Sequence, residues 1–518
     1  MAAQEPANSR HWGVALAVLI LGGFMAILDT SIVNIAIPKL ESVFSVDTAE
    51  VQWVVTIYML TLGVVVPLAG YLGERFGYRT IYVISLIVFT IGSALSGLSW
   101  SLGVLTVFRV LQALGGGLIM PITMAMVYRI VPRDRIGTAM GFWGLGIIVA
   151  PAIGPTLGGW LVEYINWRLI FYINVPIGII GVLLALAYVP KFPSRHMGTF
   201  DLMGFILSAS GLFGLLLALS EGQTWGWGSE PIILLLVGSV FLLILFSLWE
   251  LSVEHPLLDL RVFSRGSFTM ANLLVVVITV SMYSGLFYVP LFLQTVVGYG
   301  ALETGLMMMP AALASAIMMP ISGRLYDKIG ARPIVVIGLV ILAYTTYLLH
   351  RLSTTTPVDD VVFWLTLRGF GMGMAMMPAT TAGMSSLPTE MVGSGSAINN
   401  VMQRVAGSFG LAFMTAILQS QSTMHAANIA ASYTPTSRPS VQLMQQMAGY
   451  LGHQGLTAGQ SLAVTTTTLY DLIQQQAFVM GIDDIFVLGA AITLFGAFLG
   501  LFLKTYHHKK GAPQMMAD

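Results

Sequence analysis

The chain contains no cysteine, and only 9% of its 518 residues are charged. Without cysteine there can be no disulfide, thiol nucleophile or zinc–thiolate site. The formal net charge of zero gives no reason to expect the concentrated basic surface that nucleic-acid binding requires. A soluble globular chain has roughly 25% charged residues, whereas this chain is 56% hydrophobic. The composition therefore indicates an all-α polytopic protein embedded in a lipid bilayer.

Two further absences concern catalysis. The sequence has no Gly-x4-Gly-Lys-Ser/Thr loop, and no glycine anywhere precedes a lysine, so the phosphate-binding loop of an ATPase is missing. It also has no Ser/His/Asp set and no His/Glu cluster with the spacing of metal ligands. We therefore expect a protein that is not an enzyme and that holds no metal or cofactor. Any uphill transport would have to draw on an ion gradient.

The apolar runs predict fourteen membrane-spanning helices, because a span needs about 20 mostly apolar residues to cross a hydrocarbon core about 30 Å thick. An even number of spans puts both termini on one side, and the distribution of Lys and Arg among the loops predicts that this side is the cytoplasm. No small-residue cleavage site accompanies the first run, so it is interpreted as a retained helix. The predicted spans are 13–36, 52–72, 80–98, 103–128, 137–161, 169–189, 202–220, 231–250, 269–292, 303–323, 333–350, 361–384, 395–419 and 481–503.

An internal repeat divides these spans. GYLGERFGYR (70–79) and GRLYDKIGAR (323–332) share the pattern G-x-L-x-[E/D]-[R/K]-x-G-x-R, and each follows an even-numbered span. Further along, RVLQALGGGLIMP (109–121) corresponds to RGFGMGMAMMP (368–378). Such duplications are common in transporters, whose binding sites lie where the halves meet. The predicted domains are an N-terminal six-helix bundle (1–190), an inserted helix pair (191–267) and a C-terminal six-helix bundle (268–518) with an extracytoplasmic loop (420–480) that could form a helical cap or a docking surface.

Several motifs, taken in order, resemble the signatures of one family. The loop at 70–79 is similar to the helix 2–3 signature of the major facilitator superfamily, and the other stretches resemble its fourteen-helix drug:proton antiporters of the EmrB type. This resemblance implies the superfamily fold of two six-helix bundles, here with two inserted helices. The remaining matches are LDTSIVNIAIP (28–38), RVLQALGGG (109–117), APAIGPTLGGW (150–160) and NWRLIFYINVPIG (166–178).

The proton-coupling candidates are Asp29 and Arg109. A charge in the middle of a span costs roughly 2.5–3.5 kcal/mol on insertion scales, so a residue such as Asp29 indicates a functional site. The resemblance places the acidic residue of the helix 1 signature on Asp29 and the arginine of the helix 4 signature on Arg109. The alternatives are a structural aspartate paired with an arginine or capping a helix break near Pro38, and an arginine that only donates a fixed interhelical hydrogen bond.

Further polar residues are candidates for a cavity or substrate site. Next to the coupling pair these are Thr30, Asn34 and Gln112. In the predicted thirteenth span, Asn400, Gln403 and Arg404 follow the i, i+3, i+4 spacing of one helix face, which lines a cavity or binds a neighbouring helix. Arg368 is open to the same interpretations, or it reaches the membrane interface.

Two motifs are interpreted as mechanical. In the helix 5 signature, which within the superfamily marks exporters, proline removes a helical hydrogen bond and glycines allow bending and close packing; the alternative is simple helix packing. The paired loops are expected to latch one conformation, although basic residues there also satisfy the topology rule. The helix 5 residues are Gly154, Pro155, Gly158 and Gly159, and the loop residues are Gly70, Glu74, Arg75, Gly77, Arg79, Gly323, Asp327, Lys328, Gly330 and Arg332.

The resemblance implies a proton-coupled multidrug efflux antiporter of the bacterial cytoplasmic (inner) membrane. It would export lipophilic, often cationic, small molecules by rocker-switch alternating access, with the proton gradient in place of a cofactor. In a double-membrane envelope it implies a periplasmic adaptor protein as partner. The alternatives are a proton-coupled importer on the same fold and a non-transporting membrane scaffold or sensor.

Overall fold

The computed structural model describes residues 12–194, 198–353, 356–432, 441–442, 445–446, 450 and 457–504. Within these residues every regular element is a helix. Fourteen helices are long and apolar enough to cross a membrane. The predicted spans are therefore confirmed in number and in order.

We label the long helices α1 to α14. Their bounds are α1 Trp12–Ile35, α2 Thr48–Val65, α3 Tyr78–Gly97, α4 Leu102–Ile130, α5 Ile136–Tyr164, α6 Asn174–Tyr188, α7 Leu202–Trp225, α8 Glu230–Ser252, α9 Gly266–Phe292, α10 Ala301–Ile329, α11 Ala331–Leu348, α12 Val358–Ser385, α13 Val392–Ser432 and α14 Ala458–Gly500. Short helices adjoin them at Ile37–Phe44, Leu68–Phe76 and Leu169–Tyr172, with single turns at Arg133–Arg135, Leu260–Ser264, Leu293–Val297, Leu349–Arg351 and Thr389–Met391.

Local sequence explains where several helices begin. The Asp47 carboxylate accepts the backbone N–H of Glu50 at 2.8 Å and caps α2. The Ser101 hydroxyl caps α4 in the same way, accepting from Val104 at 3.3 Å. Such caps satisfy backbone donors that have no partner inside the helix. Helix α2 gives way at Val65 to the short helix that follows Pro67, because proline has no N–H to continue the ladder.

The helices form the two six-helix bundles that the sequence predicts, α1 to α6 and α9 to α14, with α7 and α8 as the inserted pair. The strongest packing between bundles joins α5 to α10. Helix α7 lies against both α2 and α13, so the inserted pair contacts each bundle. Small residues allow the close approach at the seam: a Cβ on Gly141 would lie 2.5 Å from the carbonyl oxygen of Met319. This is the use of small residues expected at helix contacts in membranes.

The internal repeat is visible in the backbone. Gly77 precedes α3 with φ +87°, and Gly330 precedes α11 with φ +82°. Residues that carry a side chain rarely adopt a positive φ, so glycine is needed at both turns. The two turns lie at the same end of the molecule, together with Arg129, Arg133 and Arg261. We call this the basic end.

The segment predicted to lie outside the membrane, 420–480, is largely helical in its described residues. Helix α13 runs on to Ser432 and α14 begins at Ala458, so most of the segment continues the two helices. Hydropathy finds only the lipid-facing part of a helix, whereas the Ala/Gln/Thr-rich continuation needs no apolar surface once it leaves the bilayer. Most of residues 433–456 lie outside the described part of the chain.

Candidate functional site

A buried ion pair joins α1 to α4. The Asp29 carboxylate lies 2.5 Å from the Arg109 guanidinium, and both residues have zero solvent exposure. Removing two charges from water is costly unless each is paired and hydrogen-bonded. The network around the pair meets that requirement.

Both oxygens of Asp29 are hydrogen-bonded. Gln112 donates to Oδ1 at 2.8 Å and also accepts from Arg109 at 2.8 Å. Asn174, the first residue of α6, donates to the same Oδ1 at 2.9 Å and to the Ser93 hydroxyl at 3.0 Å. Side chains of α4 and α6 thus bond the carboxylate of α1, and Ser93 of α3 joins the network through Asn174. The structure thus contains the Asp29–Arg109 pair that the sequence also allowed as the structural alternative, with Gln112 as a supporting polar group.

An aromatic ring covers the arginine. The Arg109 guanidinium lies 3.7 Å from the centroid of the Tyr58 ring on α2 and 5.7 Å from that of Phe171. A cation over a ring face is stabilised by the ring quadrupole, more strongly where water is excluded. The Tyr58 hydroxyl is itself buried, with the Thr30 side chain of α1 beside it.

In the described structure, the two other α1 candidates make no hydrogen bond to Asp29 or Arg109. Thr30 is half-buried and donates to the Ala26 carbonyl of its own helix at 3.2 Å. Asn34 is exposed. Asp29 itself is sealed among its donors in this conformation. Its place as the proton carrier stays a prediction.

The predicted polar face of α13 divides among three neighbours. Asn400 approaches Met124 on α4, with Nδ2 3.9 Å from Sδ. Gln403 donates to Asn399 at 2.6 Å, and Asn399 donates to Asn272 on α9 at 3.2 Å. Arg404 is half-buried within electrostatic range of tyrosines on α2 and α9. The shared face predicted from the spacing thus serves both a neighbouring helix and the seam between bundles.

Arg368 lies buried in α12 rather than at the membrane interface. It is 8% exposed and donates to the Ser281 carbonyl of α9, and its Nε lies 3.4 Å from the Thr346 hydroxyl on α11. Carbonyl and hydroxyl dipoles thus surround it where Arg109 has a carboxylate. The corresponding arginines of the two halves have different chemistry.

The helix 5 glycines lie against α1 directly after Asp29. A Cβ on Gly154 would lie 2.0 Å from the Ser31 hydroxyl, and one on Gly158 would lie 2.6 Å from Ile32. A Cβ on Gly159 would meet nothing closer than 3.9 Å, and Pro155 is exposed. Two of the four motif residues therefore hold α5 against the helix that carries Asp29. This contact fits the alternative interpretation of the motif as simple helix packing. The packing takes place next to the proposed coupling residue.

At the basic end, a carboxylate of one bundle caps a helix of the other. Asp327, near the end of α10, accepts the backbone N–H groups of Gly137 and Thr138 at 2.8 and 2.9 Å and the Thr138 hydroxyl at 2.6 Å. These donors belong to the first turn of α5, where a negative charge is favoured by the helix dipole. Nearby, Gly323 approaches Gly137 so closely that a Cβ would lie 2.1 Å from its carbonyl oxygen.

The corresponding loop of the first half makes a second link. Glu74 forms an ion pair with Arg129 and accepts the Tyr78 hydroxyl at 3.1 Å. Arg129 also donates to the Thr389 carbonyl, 3.2 Å away in the other bundle. Gly70 packs on Gly393, where a Cβ would lie 3.2 Å from the backbone. Both repeat loops thus contact the start of a helix in the opposite half, α5 or α13.

The remaining basic residues of the loops do not cross the seam in the described structure. Arg75 donates to Tyr71 and Arg79 donates to the Leu186 carbonyl, in both cases inside the first bundle. Lys328 and Arg332 are exposed. For these four residues the structure fits the topological interpretation of their charge.

Sequence reasoning missed Asn174, Arg129 and Thr138. Asn174 could have been noticed as an amide in an otherwise apolar span, since a polar group there needs a partner. Arg129 was counted only as a basic loop residue. Thr138 gave no signal, because its hydroxyl acquires a role only when another bundle supplies Asp327.

Comparisons with known proteins agree with this architecture. Residues 19–411 match the profile of the Major Facilitator Superfamily. The chain is 34% identical over 516 residues to the uncharacterized MFS-type transporter YhcA of Bacillus subtilis, covering 98% of this chain and 96% of that protein. It is 31% identical over 496 residues to the multidrug export protein EmrB of Haemophilus influenzae, covering 95% and 94%. It is 32% identical over 403 residues to the lincomycin resistance protein LmrB of Listeria monocytogenes, covering 78% and 86%.

Solved structures show the same fold at low sequence identity. The human organic anion transporter MFSD10 superimposes with a TM-score of 0.61 at 13% identity, over 96% of this chain and all of that one. The proton:xylose symporter XylE gives 0.57 at 17%, over 81% and 91%. The predicted resemblance to EmrB-type proteins is confirmed, as is the prediction of a transporter rather than an enzyme. The chain belongs to the Major Facilitator Superfamily as a multi-pass membrane transporter, and fourteen helices of its described residues are long and apolar enough to span the bilayer.

Proposed function

We propose that this protein is a proton-coupled antiporter that exports lipophilic small molecules, with Asp29 as the proton carrier. One observation carries the proposal: the Asp29 carboxylate of α1 is sealed by Arg109 and Gln112 of α4 and by Asn174 of α6. Water reaches such a carboxylate only if α1 and α4 move. Protonation and helix movement are therefore linked.

The link gives a physical basis for alternating access. A proton on Asp29 removes the negative charge that faces Arg109, so the attraction holding α1 to α4 falls. Helix α5 rests on α1 at Ser31 and Ile32, and at its other end its first turn is capped by Asp327 of the second bundle. A shift of α1 is thus passed along one helix from the ion pair to the seam. The proposed cycle loads the proton as substrate leaves and releases it as the bundles rock back.

The orientation belongs to the same proposal. We place the basic end and both termini in the cytoplasm, following the positive-inside rule, in the cytoplasmic membrane of a bacterium. Each proton that enters then contributes about 2.3 kcal/mol per 100 mV. The relatives named for multidrug export and lincomycin resistance support export of lipophilic compounds. In a double-membrane envelope, a periplasmic adaptor would meet the continuation of α13 and α14.

The test is pH-driven transport by purified protein in liposomes. We expect wild type to move a lipophilic fluorescent substrate against its gradient when a pH gradient is imposed, and Asp29→Asn to lose that drive while still exchanging substrate down its gradient. Asp471→Asn removes an exposed carboxylate from α14 and serves as the matched control. Equal pH-driven transport by wild type and Asp29→Asn would remove the coupling assignment. Substrate movement in the same direction as protons would identify an importer, and no transport at all would favour a scaffold or sensor.

A further inference from the structure

The arginines inside the spans are not all paired with a carboxylate. Asp29 neutralises Arg109, yet Arg368 and Arg404 also lie inside the spans. Within the described part of the chain, no carboxylate lies within ion-pair distance of either of these two arginines. On α14, Asp484 is paired with His425 at 2.8 Å, and the neighbouring Asp483 is half-buried. An arginine without a carboxylate in a low-dielectric region calls for another anion or for strong acceptors.

Arg404 is the less satisfied of the two. Arg368 has the Ser281 carbonyl and the Thr346 hydroxyl as acceptors. The Nε of Arg404, in contrast, is buried and has no hydrogen-bond partner among the described residues. Guanidinium donors are planar and fork-shaped, which suits a carboxylate, sulfonate or phenolate oxygen. Arg404 therefore offers a buried cationic donor to a ligand that the chain itself does not supply.

The place of Arg404 is the seam where substrate would bind. The residue after Arg404, Val405, packs against the cluster of Leu60 on α2 with Leu216 and Leu217 on α7. Arg404 itself lies within electrostatic range of the phenols of Tyr58 on α2, in the first bundle, and Tyr283 on α9, in the second. One turn further along α13, a Cβ on Gly407 would lie 2.6 Å from the Tyr283 ring, so that ring packs beside the arginine. Aromatic faces with one charged group are the usual lining of a small-molecule site.

Tyr58 connects this place to the proton site. One face of its ring covers the Arg109 guanidinium at 3.7 Å, and its hydroxyl is buried. A ligand oxygen between Tyr58 and Arg404 would accept hydrogen bonds from the phenol and from the Arg404 N–H together. A ligand held there would also contact Tyr58, whose ring covers Arg109, the ion-pair partner of Asp29.

We propose that Arg404 and Tyr58 bind an anionic oxygen group of the transported molecule, so that the protein prefers lipophilic organic anions to permanent cations. This inference rests on the proposed export function and departs from the cationic substrates that the sequence resemblance implies. A charge-assisted hydrogen bond contributes about 1.5–3 kcal/mol, which corresponds to roughly 10- to 100-fold in affinity. A fixed cation at the same place would face repulsion from Arg404, which has no carboxylate within ion-pair distance in the described part of the chain.

The experiment compares three probes that share one aromatic body: pyrenebutyrate, pyrenebutanol and pyrenebutyltrimethylammonium. Binding to the purified full-length protein in lipid nanodiscs is followed by pyrene fluorescence, with the signal of empty nanodiscs subtracted. We expect wild type to bind pyrenebutyrate about tenfold or more tightly than pyrenebutyltrimethylammonium, with the alcohol between them. Arg404→Gln removes this order by weakening pyrenebutyrate alone, Arg404→Lys keeps it, and Tyr58→Phe reduces it.

The controls separate this inference from the proton-coupling proposal. Arg261→Gln removes the same charge from an exposed turn before α9 and leaves all three affinities unchanged. Asp29→Asn keeps the order of head groups even though pH-driven transport is lost, because the binding assay imposes no pH gradient. Wild type that binds the ammonium probe as tightly as pyrenebutyrate, or shows no pyrenebutyrate binding above empty nanodiscs, overturns the inference. The inference is also overturned if the Arg404→Gln variant has the same unfolding temperature as wild type and binds pyrenebutyrate with the same affinity.

Discussion

Glu74 and Asp327 occupy the same position in two copies of one loop, yet they hold different partners. Glu74 pairs with Arg129 of its own bundle, whereas Asp327 caps the first turn of α5 in the opposite bundle. The duplicated halves thus close the basic end by two unlike contacts. One contact depends on a pair of charges, and the other on a charge facing backbone N–H groups.

Removing Asp327 should loosen the basic end. Asp327→Ala deprives three donors of Gly137 and Thr138 of their acceptor, and the loss of a helix cap costs about 0.5–2 kcal/mol. We expect the balance between closed and open basic ends to shift toward open by roughly 2- to 30-fold. Because the chain has no cysteine, spin labels on Arg133→Cys and Ile329→Cys report the distance directly. Asp360→Asn, an exposed acid at the other end of α12, should leave the distance distribution of wild type.

A methyl group on Gly323 should hold the same end apart. In Gly323→Ala the new Cβ meets the Gly137 carbonyl at 2.1 Å, where backbone on both sides leaves little room to yield. The same spin-label pair should show a longer distance than in wild type, together with slower transport. Gly305→Ala tests the same substitution on the same helix, where nothing lies within 4 Å. Closure that is as complete in Gly323→Ala as in Gly305→Ala would contradict this account of the seam.

The glycines of the helix 5 motif should differ in tolerance. Gly154→Ala places a methyl group 2.0 Å from the Ser31 hydroxyl and pushes α5 away from the helix that carries Asp29, so transport should fall at least tenfold. Gly159→Ala adds a methyl group to a site with ordinary spacing and should transport at close to the wild-type rate. Transport in liposomes measures both. The double variant Ser31→Gly with Gly154→Ala should recover part of the loss, and equal defects in the two single variants would mean that the motif acts by another route.

The ion pair should obey a double-mutant cycle. Arg109→Leu leaves the Asp29 charge buried without its cation, a change that costs about 3–5 kcal/mol in buried pairs. Asp29→Asn combined with Arg109→Leu removes both charges and should recover most of that stability. Thermal unfolding in detergent follows both proteins. Additive losses in the double variant would show that the two side chains do not depend on each other.

Much of the fold could be predicted from the sequence. A span must satisfy its backbone polar groups internally, so it forms a helix, and its contact with lipid makes that helix recognisable as a long apolar run. The repeat also predicted that the two loops containing Gly70 and Gly323 make contacts that hold one conformation. The site was predictable only in part. Asp29 and Arg109 stand out as charges among apolar residues, but Tyr58 and Asn174 become part of the site through packing between distant helices, which no local pattern encodes. The partners of Asn400, Gln403 and Arg404 were likewise not predictable. The spacing of these residues indicates that they share one helix face, but not which helices that face contacts.

Helix α13 begins at the seam, where Gly393 meets Gly70, and continues for 41 residues. At about 1.5 Å per residue it is a rod of roughly 60 Å, twice the thickness of the hydrocarbon core. A tilt of about 10° at the seam end would carry the far end through about 10 Å by simple lever geometry. A small rotation at the glycine contacts of the seam thus produces a much larger displacement at the far end of α13. A protein bound outside the bilayer would be moved by that displacement.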